Sequence, residues 1–172
     1  MRYAATFLLV FVFVAGCRDD VAVLAPEPVA MTDDAVSHYC MMSLGEHPGP
    51  KAQIHLDSVP DPIFFAQVRD GIAYLKQPER SAGIIAIYVS NMSRAPSWGA
   101  PGIDNWIAAE DAIFVVGADV TGGMGAPELA PFETEDAARD FAALHGGEVM
   151  RLDQIPAEAV LGAVEIIIPG GG

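Results

Sequence analysis

Residues 52–89 read AQIHLDSVPDPIFFAQVRDGIAYLKQPERSAGIIAIYV, and this stretch decides the fold. Residues 52–56 alternate apolar and polar, the period of a half-buried strand. A Pro-Asp-Pro turn at 60–62 leads into a short apolar strand at 63–65. Phe65, Val68, Ile72 and Leu75 then share one helical face, which predicts a helix over 66–77. Pro78 ends it, because proline can neither donate to the helix ladder nor fit its interior. The apolar, isoleucine-rich run at 83–89 predicts a strand covered on both faces. The order is ββαβ.

The same order returns downstream. Residues 112–116 form an apolar run, followed by a glycine-rich loop at 121–126 and a second short strand at 129–132. Thr134 is placed to N-cap a helix whose first turn carries Glu135 and Asp136, both favourable against the helix dipole. Ala137, Phe141 and Leu144, at i, i+4 and i+7, are its expected buried face, and Gly146-Gly147 stops it. Residues 148–152 read as the closing strand, and 164–168 as one more. Neither unit is large enough to bury a core alone. The expected class is therefore α+β: two ββαβ modules, each a small, mainly antiparallel sheet with one helix on a face. Residues 33–95 make the first module and 96–172 the linker and second module. The link between the two units holds Trp98 and Trp106 without a clear period and is expected to pack over the junction.

Toward the N-terminus, Arg2 precedes a nearly unbroken apolar run at 4–15. It is too short to span a bilayer and has the shape of a signal peptide. Val14-Ala15-Gly16-Cys17 matches the bacterial lipobox. Residues 1–16 are thus expected to be removed, with Cys17 carrying lipid. Residues 17–32, which include Ala25-Pro26-Glu27-Pro28, then form an extended, mobile tether. This predicts an exported protein, periplasmic and lipid-anchored to the cell membrane through Cys17. The chain carries a net charge of −14, and such a surface repels phosphate backbones, so nucleic acid is not an expected partner.

Of two cysteines, Cys17 is consumed by lipid. Cys40 is left alone in an oxidising compartment, where a leftover cysteine points to a working thiol or an intermolecular bond. It opens Cys40-Met41-Met42. Copper(I) is soft and prefers thiolate and thioether ligands, so this pattern selects copper(I) over zinc. In an extended chain, residues 40 and 42 point to the same side. Core filling is the competing reading of the two methionines. Gly122-Gly123-Met124-Gly125 sets another methionine among glycines, as an exposed thioether on a mobile loop would be set, or a plain glycine turn. His38 offers a nitrogen two residues before Cys40, whereas His47, His55 and His145 read as surface or structural groups. No catalytic elbow, phosphate loop, Cys-x-x-Cys or His-Glu-x-x-His motif occurs, and an enzyme is not expected. Two alternatives to a copper carrier stand: a metal-free docking lipoprotein, and a thiol enzyme using Cys40 with His38 as base.

Four stretches carry a resemblance: Tyr39-Cys40-Met41-Met42, then Gly49-Pro50-Lys51-Ala52-Gln53-Ile54, then Met124-Gly125-Ala126-Pro127-Glu128, then His145 through Ile155. In this order, behind a lipobox, the chain resembles the nitrous oxide reductase accessory lipoproteins, the NosL family. The resemblance implies a periplasmic copper(I) chaperone. Its partners would be a membrane-associated copper-site assembly complex and, through it, nitrous oxide reductase, an enzyme of denitrification. It also implies two ββαβ modules similar to the small domain of organomercurial lyase. The family's ligand set is best matched by Cys40, Met42 and Met124. The family usually shows Cys-Gly-Met, so Met41 stands where a glycine is usual and is either a rival ligand or a change in the loop.

Overall fold

The computed structural model describes residues 25–79 and 82–164. The signal peptide, Cys17, residues 18–24 of the tether and residues 165–168 of the last expected strand lie outside them. Among the described residues, seven strands make two antiparallel sheets. In the first, β1 (Ala52–Leu56) is central and wholly buried. It pairs with β2 (Ile63–Phe65) on one side and β3 (Ile84–Ser90) on the other. The helix α1 (Val68–Lys76) packs on these strands with Val68, Ile72, Ala73 and Tyr74 buried.

The second sheet has the order β6-β5-β7, with β5 (Ile113–Val116) between β6 (Ala130–Phe132) and β7 (Glu148–Arg151). The helix α2 (Glu135–His145) covers it. A short helix, α3 (Ala157–Leu161), lies against α1. The α+β class and the two ββαβ sequences expected from the chain are present.

The apolar run of β5 has a direct cause. Ile113 and Val115 pack with Ala130, Phe132 and Ala138 under α2. Phe114, on the opposite face, packs with Ile54, Phe65, Ile72 and Leu129 in the larger core. The second sheet therefore lies between its own helix and the core of the first unit, and neither core closes without the other. Full burial of a side chain such as Phe114 contributes roughly 1.5–3 kcal/mol.

Several expectations need correction. The link between the units contributes a strand, β4 (Trp106–Ala108), which extends the first sheet beside β3. The strand β3 is not covered on both faces, and Ile85 is exposed. Leu144 is 81% exposed, so it is not part of the buried face of α2. Ala137 and Phe141 do pack in that face, which centres on Ala138 with Ala142 beside it. Thr134 does cap the helix, accepting the Ala137 N–H at 3.3 Å, and this contributes about 1 kcal/mol. The tether is not free to its expected end. The buried Gln53 amide holds both backbone groups of Val29, accepting its N–H at 2.8 Å and donating to its carbonyl at 2.9 Å. The Tyr88 hydroxyl also donates to Pro26 O at 2.7 Å.

Gly71 shows how closely α1 lies on β1. A Cβ there would stand 2.6 Å from the Ala52 Cβ. In an exposed helix, Gly→Ala stabilises by about 1 kcal/mol. Here overpacking, which costs roughly 1–3 kcal/mol, is expected to win. Gly71→Ala should lower the denaturation midpoint. A rise would show that α1 can move away from the sheet.

Candidate metal site

The Cys40 segment is a tight turn. Val36 bridges Ser43, the Ser37 N–H donates to Met42 O at 2.9 Å, and the Met41 N–H donates to Ser37 O at 2.8 Å. Met41 takes φ +56°, in the left-handed region. The alternation expected of an extended chain therefore does not apply, and the turn itself sets the direction of each side chain. A Cβ in this region costs about 1–2 kcal/mol, a cost that a glycine at position 41 would avoid. Cys40 is half-buried, Met42 exposed and Met41 70% exposed. None of the three is core filling.

The turn is tied to the junction of β2 and α1. The His38 N–H donates to Phe64 O at 2.7 Å, and the buried Ser37 Oγ accepts the Ala66 N–H at 3.2 Å. The His38 ring meets Phe65 and Tyr74 edge-on, with centroids 5.6 and 5.8 Å away.

The glycine-rich loop is docked at the next residue. Gln67 Oε1 accepts the Met124 N–H at 2.8 Å. His47 Nδ1 lies 3.1 Å from Gly123 O, and Trp98 Nε1 donates to Thr121 O at 3.1 Å. Its glycines answer to close approach. A Cβ at Gly122 would be 2.5 Å from Glu128 Oε2, and one at Gly123 would be 2.3 Å from the His47 Cβ. The loop is thus held from several sides, contrary to the expected mobile segment, and the Met124 side chain is exposed above it.

Beneath the glycine-rich loop lies Glu128, fully buried. Gln67, the N-cap residue of α1, makes no side-chain cap. Glu128 supplies one from the other half of the chain. Its carboxylate accepts the Val68 N–H at 3.2 Å, the Arg69 N–H at 2.8 Å and the Leu129 N–H at 2.9 Å. Burial pushes its pKa up to about 8, against the pull of the Arg69 and Leu129 N–H groups and of Lys51. Lys51, also buried, donates from Nζ to His47 O and Gly49 O, each at 2.6 Å. Burial lowers its pKa to about 8, and Glu128 opposes that shift.

Cys40, Met41 and Met42 thus share one turn held at Ala66, and Met124 stands on a loop held at Gln67. The remaining histidines lie apart from this arrangement, except for the backbone support from His47. His55 is buried, not on a polar face, with Nε2 3.2 Å from Gln53 Oε1 and its pKa lowered by burial. His145 lies against Phe141 at 4.4 Å. Among the described residues no three His, Cys, Asp or Glu side chains gather as a metal site. The donors on offer are sulfur, the set that suits a soft ion. Gln67, His47 and Glu128 were not singled out as functional from the sequence. The only signal for Glu128 is its place four residues after Met124.

This is a small two-sheet α+β protein in which half-buried Cys40 and exposed Met41, Met42 and Met124 stand on two loops anchored at one helix start. Residues 28–160 match the NosL family, and the chain belongs to it. It is 47% identical over 169 residues to the copper-binding lipoprotein NosL of Achromobacter cycloclastes, covering 96% of this chain and 87% of that one. It is 35% identical over 130 residues to the copper-binding lipoprotein NosL of Stutzerimonas stutzeri, covering 75% and 66%. The crystal structure of the copper chaperone NosL from Shewanella denitrificans superposes with a TM-score of 0.70 at 32% identity, over 75% of this chain and 95% of that one.

Two outcomes follow from the geometry. Met41→Gly relieves the left-handed strain at an exposed position and should raise stability by about 1 kcal/mol in chemical denaturation. A loss would mean that the Met41 side chain makes a stabilising contact. The second outcome concerns pH. The Glu128 pKa rises from 4.5 to about 8 on folding, so the folded state holds a proton that the unfolded state has released. Its contribution to stability is complete below about pH 4.5 and is lost as pH climbs through 8. Between pH 5 and 7.5, Glu128→Gln should flatten the decline of stability with pH, and parallel curves would contradict the assignment.

Proposed function

We propose that this chain is a lipid-anchored copper(I) metallochaperone of the periplasm, with Cys40, Met42 and Met124 as the metal's ligands and Cys17 as the lipid site. It would deliver copper through a membrane-associated assembly complex for the maturation of nitrous oxide reductase. The observation that carries this reading is the anchoring of the two sulfur-bearing loops at adjacent residues, Ala66 and Gln67. The relatives named as copper-binding lipoproteins and as a copper chaperone support it.

The chemistry follows from the donors. On binding, the Cys40 thiol gives up its proton and the thiolate takes the ion. Thioethers add neutral, soft donors that favour copper(I) over copper(II). Sulfur donors at the surface let a partner's ligand add before the chain's own ligands leave, so copper moves by ligand exchange with no change of oxidation state. Met41, at the left-handed position of the turn, shapes the loop, and Met42 is the methionine assigned to the metal. His38, on the same turn with its ring edge-on to Phe65 and Tyr74, is a further candidate nitrogen ligand.

An anaerobic titration of the soluble part with copper(I), against a chromogenic chelator, should give one tight equivalent. Met124→Ala should weaken it about tenfold, equivalent to about 1.4 kcal/mol, and Cys40→Ser should weaken it more. Unchanged affinity in both variants would remove the site and leave a metal-free docking protein.

A further inference from the structure

We propose that Gln67 and His47 are positioning residues that grip the peptide bond preceding Met124 and so fix where its thioether is presented. This rests on the copper(I) reading above. The Gly123 carbonyl and the Met124 N–H are the two polar ends of one peptide unit. His47 Nδ1 lies 3.1 Å from the first, and Gln67 Oε1 lies 2.8 Å from the second. A peptide unit is a rigid plane, so holding both ends leaves it no freedom to rotate.

The direction of each bond is set by chemistry. A carbonyl oxygen can only accept, so His47 Nδ1 carries the hydrogen and donates. Among the described residues, His47 Nε2 is buried without a hydrogen-bond partner, so Nδ1 makes the ring's polar contact. The contact depends on Gly123, because any larger residue would put a Cβ 2.3 Å from the His47 Cβ. On the other side, Gln67 is 2% exposed, and its Nε2 lies 3.4 Å from Asp70 Oδ2. The amide is therefore oriented with its oxygen toward Met124.

Both gripping residues belong to the first unit, as does the Cys40 turn. Gln67 follows Ala66, whose N–H is bonded to Ser37 at the base of that turn. The grip therefore sets Met124 relative to Cys40 and Met42 rather than relative to its own sheet. A methionine side chain has three rotatable bonds and much freedom to lose on binding metal. A backbone already fixed in place reduces the ordering that remains, which is how preorganisation raises affinity.

The test is a copper(I) titration of the soluble chain against a chromogenic chelator, combined with a double-mutant cycle. Gln67→Leu keeps the volume and removes the acceptor. It should weaken copper(I) binding about tenfold in the parent chain and have little effect when Met124 is already alanine. His47→Leu should behave in the same way, and His47→Asn, which keeps an N–H near the Nδ1 position, should recover most of the affinity. Trp98, bonded to Thr121 at the start of the loop, gives a fluorescence check that each variant keeps its fold. An equal loss with and without Met124 would show only a structural role and overturn the proposal. So would unchanged affinity in Gln67→Leu and His47→Leu while Met124→Ala still weakens binding. A parent chain whose binding does not depend on Met124 would overturn the copper site assignment itself, and this inference with it.

Discussion

The Glu128 carboxylate receives the Val68 and Arg69 N–H groups at the start of a helix 60 and 59 residues earlier in the chain, and the placement of both sulfur-bearing loops depends on that junction. The first N–H groups of a helix have no partner within it. Gln67 spends its side-chain oxygen on Met124 instead of on the helix, so the donors of α1 must be met from elsewhere. In a buried place water is not available to meet them, and an unpaired group there costs roughly 1–3 kcal/mol. Glu128 fills this role with a buried carboxyl group, which burial holds protonated up to about pH 8 against the pull of the N–H donors and of Lys51.

The carboxylate also connects the two units. Glu128 sits at the foot of the glycine-rich loop, where its N–H donates to Val120 O at 3.1 Å and Pro127 bridges Thr121. Once its side chain is committed to α1, the loop above it lies against Gln67 and His47. The glycines at 122 and 123 are what that proximity requires. The shared core does the same at larger scale, with Phe114 and Leu129 from the second sheet among Ile54, Phe65 and Ile72 of the first. A side chain on the second unit can thus be held in register with a turn on the first.

Much of this was legible in the sequence where a pattern repeats. The helical spacing after Phe65 and the cap at Thr134 each follow from a local rule and appear in the fold, whereas the alternation of 52–56 locates a strand but not its burial: Gln53 and His55 are buried too, so β1 is covered on both faces rather than half-buried. The failures have physical causes. The strand β4 is three residues long and too short to show a period. The face of α2 is built on Ala138, a small residue that an apolar spacing count passes over in favour of Leu144. Glu128, Gln67 and Lys51 look like surface residues by type, and only their distant partners make them buried ones. The segments carrying Cys40 and Met124 were recognisable by composition. Their common anchor was not, because it joins residues far apart in the chain through side-chain bonds that leave no periodic trace.

In the proposed site, soft sulfur donors from both loops surround one copper(I) ion. X-ray absorption at the copper edge of the loaded soluble chain probes that shell. A copper(I) edge and a first shell dominated by sulfur are expected, losing one sulfur scatterer in Met124→Ala and the thiolate in Cys40→Ser. A first shell of nitrogen and oxygen alone, or one unchanged by both substitutions, would contradict it.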